Sequence, residues 1–208
     1  MEPFTVHTGV AAPMLRINID TDAIIPSREM KGVSKKGLGD GLFAVWRYTN
    51  PDERTINPDF VLNRPAYRNT TILLGGDNFG CGSSREHAVW ALAEYGIRAV
   101  IAPGFGSIFY QNCIRNGILP VVLSDAAIAV LANSLEQDPQ GTPLTIDLNQ
   151  QLVIDGGGQR YPFEIAPGHR EMLLKGLDAI GLTLQLDEQI GAFENRYRQQ
   201  FPWLYESA

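Results

Sequence analysis

Apolar and polar positions are patterned most regularly in the middle of the chain. The run Thr71-Ile72-Leu73-Leu74 is nearly all apolar, which at that length fits a strand buried on both faces. A glycine-rich stretch follows. Then come Ala88, Ala91, Leu92 and Tyr95 at i, i+3, i+4, i+7, the spacing of a helix with one apolar stripe. The pattern predicts a helix over 84–95 stopped by Gly96, a strand over 99–102, a helix from a Ser107 cap to 116 ended by Gly117, and a strand over 119–123. Strand–helix–strand–helix–strand with short links implies a parallel sheet with right-handed crossovers. Ligands of such sheets bind beyond the carboxyl ends of the strands.

The flanks are less regular. Residues 5–10 read as a first strand. The run 16–26 interleaves Asn18, Asp20 and Asp22 with isoleucines, a pattern of neither simple helix nor simple strand. Residues 27–41, rich in Gly, Lys and Ser, read as an exposed, mobile loop. The apolar patch 42–48, with Trp46, is expected to pack on the body, and 49–69 is polar with turns at Asn57-Pro58-Asp59 and Arg64-Pro65. Beyond the centre, Ser124 caps a helix over 125–135. Three short antiparallel strands are expected over 142–148, 151–154 and 160–165, with Asp155-Gly156-Gly157-Gly158 as a hairpin turn. Residues 168–176 and 187–199 read as helices, before an aromatic tail over 197–205. The fold class is α/β, a mainly parallel sheet with flanking helices plus short antiparallel strands. The whole chain, 1–208, is expected to form one domain with a C-terminal helical extension from about 186.

Composition narrows the function. The net charge of −6, without a basic block, argues against a nucleic-acid surface. No apolar run approaches the ~20 residues of a membrane span, and the N-terminus lacks a signal-peptide layout. Two cysteines, Cys81 and Cys113, make a disulfide framework a poor expectation and a reducing cytoplasm the better one. They also fall short of the three or four thiolates of an iron–sulfur cluster, and His7, His87 and His169 show no metal-ligand spacing. The chain is therefore expected to bind no cofactor of its own, and any metal it works with is held mostly by another chain.

The candidate chemistry sits in the glycine-rich stretch. Gly75, Gly76, Gly80 and Gly82 fall within eight residues, followed by Ser83, Ser84 and Arg85. Glycines permit a sharp turn and close approach of a ligand, and a helix start presents unpaired N–H groups and partial positive charge. Hydroxyls and a guanidinium there suit a carboxylate or a phosphate. A competing reading remains open: Ser83-Ser84-Arg85-Glu86 also fits a capping box, a purely structural device.

Four segments in order carry a family resemblance: Asn18-Ile19-Asp20-Thr21-Asp22-Ala23-Ile24-Ile25-Pro26, residues 57–63, Asn78-Phe79-Gly80-Cys81-Gly82-Ser83-Ser84-Arg85-Glu86-His87-Ala88, and residues 176–185. They resemble the swivelling domain (β/β/α) of the aconitase superfamily, and within it the bacterial small subunits of the isopropylmalate isomerase family. That resemblance implies a hydro-lyase half. The family interconverts 2-isopropylmalate and 3-isopropylmalate, in leucine biosynthesis, by losing and regaining water. A [4Fe–4S] cluster is held by a separate large subunit.

The resemblance further implies that Ser83, as its alkoxide, is the base and that Ser84 and Arg85 hold substrate carboxylate or help stabilise that alkoxide. Asp22 enters the site from the second signature and pairs with a histidine of the large subunit. The loop bearing Arg28, Lys31 and Val33 reads the substrate side chain. Arg28 and Lys31 also fit plain solvated loop charges, and Asp22 also fits a turn. Small subunits of sibling dehydratases acting on homoaconitate, citraconate or a methylmalate remain the alternative. A nucleotide-binding module is disfavoured, because no lysine follows the glycines and the turn contains no G-x-G-x-x-G.

Overall fold

A computed structural model describes residues 1–30 and 34–205; Lys31 and Val33 lie outside the described residues. In chain order the strands are β1 Val6–Met14, β2 Tyr48–Asn50, β3 Thr55–Ile56, β4 Thr70–Gly75, β5 Ala99–Ala102, β6 Leu119–Val122, β7 Leu144–Asp147, β8 Leu152–Ile154 and β9 Arg160–Pro162. The helices are α1 Thr21–Ile24, α2 Ala44–Arg47, α3 His87–Tyr95, α4 Ser107–Asn116, α5 Asp125–Gln137, α6 Pro167–Lys175, α7 Ala179–Leu184 and α8 Asp187–Gln200.

Seven strands form one sheet in the order β6-β5-β4-β1-β7-β8-β9. The β6-β5-β4-β1 half is parallel and the β1-β7-β8-β9 half antiparallel. β1 joins the halves by changing partner along its length. Val6–Gly9 pair with β7, whereas Val10–Met14 pair with β4 after an irregularity at Val10/Ala11. The expected first strand, 5–10, therefore stops too early. Its second half contains Pro13, a residue that usually argues against a strand interior. Among the described residues no strand pairs with the far side of Val10–Met14, so the missing N–H of Pro13 breaks no ladder there. Pro120 sits likewise on the edge strand β6.

Alternate residues of the strands feed two cores. Ile72, Leu74, Ala99 and Ile101 face one core with Ile128, Leu131 and Leu135 of α5 and with Ile146 and Val153 of the antiparallel half. Leu73, Val100 and Ala102 face the other, with Ala88, Ala91 and Leu92 of α3 and with Leu42 and Phe43. The apolar patch at 42–48 thus packs on the body as expected. Gly96, Gly117 and Gly176 end their helices in the left-handed conformation that glycine adopts without strain. Ser124 caps α5 by accepting from the Ala127 N–H, but Ser107 is the first residue of α4 rather than its cap, which is Gly106.

Part of the expected mobile loop is pinned. The Glu94 carboxylate, near the end of α3, accepts the backbone N–H groups of Gly37, Leu38 and Gly39 at 2.7, 2.5 and 2.8 Å. Leu38 is buried beneath them, and Arg47 donates to the Gly39 carbonyl at 2.9 Å. At the other end Glu29 pairs with Arg54 at 2.5 Å. At the start of the polar stretch, β2 and β3 pair as a small antiparallel hairpin.

The three N–H donors, chiefly that of Gly37, hold the Glu94 carboxyl below its usual pKa. A depressed carboxyl favours the folded state above its unfolded pKa and loses that contribution as pH falls through the folded value. The amides of Gly37–Gly39 are expected to lose hydrogen-exchange protection, relative to the α3 core, on acidification below the ordinary carboxylate range. Glu94→Gln should show most of that loss already at pH 7.

Candidate active-site edge

The candidate residues lie where β1, β4 and β5 end. β4 runs between β1 and β5 in the sheet, so the chain leaving it is flanked on both sides. On one side the pairing of β1 with β4 continues past the strands. Asn18 donates to the Asp77 carbonyl at 2.9 Å, Gly80 to Ile19 at 2.7 Å, and Thr21 to Cys81 at 3.0 Å. On the other side Phe79 donates to Gly104 at 3.0 Å and Gly106 to Phe79 at 2.9 Å. Glycine is required at the tightest points. A Cβ on Gly76 would lie 2.5 Å from the Arg16 carbonyl, and one on Gly80, whose φ is +73°, would overlap the Phe109 ring.

The odd run 16–26 resolves into distinct duties. Asn18 is left-handed, like Asn78, and accepts from the Asn78 amide at 2.7 Å. Ile19, Ile24 and Ile25 are buried. Asp20 caps α1 by accepting from the Ala23 N–H at 2.7 Å. Asp22 projects outward and pairs through Oδ1 with Nη1 of Arg85.

α3 begins at His87, not at 84, and its N-cap is Glu86 without a side-chain cap bond. The capping-box reading is therefore not realised. Residues 80 and 81 are taken up by the ladder with 19–21, and Gly82, at φ +89°, turns the chain before a helix can start. Ser83 and Ser84 are exposed, and among the described residues neither hydroxyl has a hydrogen-bond partner. Arg85, half-buried, stands just ahead of the helix. A cation at a helix start is unfavourable against the dipole, and here Asp22 offsets it. Glu86 accepts from Asn116 at 2.7 Å, and Asn116 accepts from Trp90 at 3.1 Å, which ties the start of α3 to the end of α4.

The structure thus brings Ser83, Ser84, Arg85 and Asp22 to one edge. Arg28 is exposed, with its guanidinium 3.6 Å from Glu29. Among the described residues, no group of three or more His, Cys, Asp or Glu is arranged to hold a metal. Cys113 is fully buried and Cys81 partly so, and burial pushes both thiols up, away from the thiolate a cluster ligand must be. Among the described residues the donors do not fit an iron–sulfur cluster.

The family model described as the aconitase C-terminal domain matches residues 1–126. A model of the C-terminal domain of the 3-isopropylmalate dehydratase small subunit matches 180–207, and a model described as LeuD_N matches 131–167. A 3-isopropylmalate dehydratase small subunit of Cupriavidus necator is 58% identical over 205 residues, covering 99% of both chains. The chain belongs to the 3-isopropylmalate dehydratase small-subunit family. Two further small subunits agree. That of Rhodospirillum centenum is 52% identical, covering 98% of both chains. That of Brevibacillus brevis is 53% identical, covering 94% of this chain and 100% of the relative. The crystal structure of a 3-isopropylmalate dehydratase from Methanocaldococcus jannaschii superposes with a TM-score of 0.64 at 26% identity, covering 91% of this chain and 99% of that one.

Sequence reasoning missed Thr21, buried beneath the turn and donating to the Ser83 carbonyl, and the Glu86–Asn116–Trp90 tie. Thr21 stands beside Asp22 in a family signature, but nothing local to the sequence shows that its side chain faces inward. Gly80→Ala is expected to destabilise the protein by about 2–4 kcal/mol, from the left-handed φ together with the clash at Phe109. Chemical denaturation of the variant against the parent measures this.

Proposed function

We propose that this chain is the small subunit of a two-subunit hydro-lyase that isomerises 2-isopropylmalate and 3-isopropylmalate by dehydration and rehydration in leucine biosynthesis, and that it supplies the proton-handling and carboxylate-binding half of the active site. Identities of 52–58% to small subunits so named, over nearly the whole chain, support the assignment. A small subunit implies a large one, and the electrophile, a [4Fe–4S] cluster in this reading, belongs there. Among the described residues no helix is long and apolar enough to cross a membrane.

The observation that carries the site is the exposed pair Ser83 and Ser84 on the turn that holds Arg85 against Asp22. Ser83 Oγ acts as the base that takes the proton from the substrate carbon and returns it to the neighbouring position. A serine hydroxyl is a poor base by itself, and its alkoxide needs nearby positive charge and exclusion of water. Arg85 supplies the charge, and closure against the large subunit supplies the exclusion. Arg85 and Ser84 bind a substrate carboxylate. The guanidinium has donors beyond the one engaged by Asp22, so Asp22 orients Arg85 without filling it and is free on its outer side to meet the large subunit. Arg28, with Lys31 and Val33, reads the substrate side chain. α7 and α8 contain no buried residue, which supports a single swivelling domain with a C-terminal helical extension.

In the complex reconstituted with its large subunit and an intact cluster, Ser83→Ala is expected to lower kcat by about 10³-fold or more while assembly stays intact. Loss of a positioned proton-transfer group typically costs 10²–10⁴-fold. Full turnover by Ser83→Ala would remove the base assignment. Arg85→Lys, which keeps charge but loses the planar fork, should raise KM about 10-fold or more. A preference of the complex for a substrate lacking the isopropyl group would contradict the substrate.

A further inference from the structure

We infer that Thr21 is the positioning residue that aims Ser83, acting through the Ser83 carbonyl. The inference rests on the reading of Ser83 as the base and deepens it.

The parallel ladder between 18–21 and 77–81 is made of backbone bonds up to Thr21 N–H and the Cys81 carbonyl, at 3.0 Å. There it must stop. Gly82 is left-handed, with φ of +89°, and Thr21 has already entered α1, where its carbonyl accepts from Ile25 at 2.9 Å. The Thr21 N–H is already engaged by the Cys81 carbonyl. The Thr21 side chain takes over, with Oγ1 donating to the Ser83 carbonyl at 3.2 Å. That carbonyl also accepts the Arg85 N–H at 2.8 Å, so it is held from two sides. The peptide between Ser83 and Ser84 is thereby fixed in orientation, and with it the backbone from which the Ser83 Oγ projects.

Burial distinguishes this bond from a surface accident. Thr21 is 1% exposed, one of few buried polar residues, while Ser83 itself is exposed. The hydroxyl of Thr21 is thus shielded while the serine it steadies faces outward. Gly82 adds no side chain between them: a Cβ there would lie 3.8 Å from Thr21 Oγ1. The flanking residues of α1 have other duties, Asp20 as the cap and Asp22 as the partner of Arg85. Three consecutive side chains therefore fix the helix, the base and the guanidinium respectively. Positioning at this scale matters to rate, because displacement of a reacting group by about 1 Å can cost about 10²-fold.

The test compares Thr21→Val, which keeps the branched shape and removes the donor, with Thr21→Ser, which keeps the donor, in the complex reconstituted with the large subunit. Thr21→Val is expected to lower kcat about 10- to 100-fold, the range set by such misplacement, with KM changed less than about threefold and complex assembly unchanged. Thr21→Ser is expected to restore kcat to within about threefold of the parent. A merely structural threonine would instead lower thermal stability or assembly and leave the kcat of the assembled enzyme alone. If Thr21→Val fails to assemble, Thr21→Ser and Thr21→Ala decide: equal kcat in these two overturns the inference, and a loss confined to Thr21→Ala supports it. Parental kcat in Thr21→Val, in an enzyme that Ser83→Ala inactivates, overturns the role of Thr21 and leaves the base in place. Turnover by Ser83→Ala would overturn both.

Discussion

The extension of the β1–β4 pairing beyond the two strands is the constraint on which the site depends. Parallel strands bring their carboxyl ends to the same edge, but the segments that leave them normally diverge into separate connections. Here they stay paired for several more residues, through Gly80 to Ile19 and Thr21 to Cys81. Asp22 and Arg85, 63 positions apart in sequence, meet as a consequence. The glycines are necessary for the same reason: Gly76 lies against the Arg16 carbonyl and Gly80 against Phe109, with no room for a Cβ at either.

The two cores hold this edge rigid from both sides of the sheet. α3 is the main strut on one side. It starts at the glycine-rich turn, is tied at its N-terminus to α4 through Glu86 and Asn116, and near its C-terminus offers Glu94 to Gly37–Gly39. One nine-residue helix thus fixes both the turn that carries Ser83–Arg85 and one foot of the 27–41 segment. The site is built on a packed scaffold, yet its polar groups face outward. The exposed hydroxyls of Ser83 and Ser84 suit the proposal that this edge is one face of a site completed by a large subunit.

How much of this was legible depended on the range of the interactions. The β4-α3-β5-α4-β6 run was readable because its periodicity and its glycine stops are local signals. The clustering of Ser83, Ser84 and Arg85 after the glycines is likewise a local signal. The start of α3 was misplaced because Ser83-Ser84-Arg85-Glu86 satisfies a local capping rule that the ladder with 19–21 overrides. The second half of β1 was missed because Pro13 argues against a strand unless the missing neighbour is known. Glu94, Asn116 and Thr21 gave no local signal at all, since each acts on a segment 30 or more positions away. The bearing of 18–26 on the site came from its likeness to a family signature, which records the distant pairing that composition and spacing do not.

On the proposed reading this chain is half of an active site. The most direct measurement is isopropylmalate turnover under anaerobic conditions as the chain is titrated into a fixed amount of cluster-loaded large subunit. Neither protein alone is expected to turn over substrate, and turnover should rise and saturate at a fixed ratio of the two. Turnover by the isolated chain, or none from the assembled pair with its cluster intact, would contradict that reading.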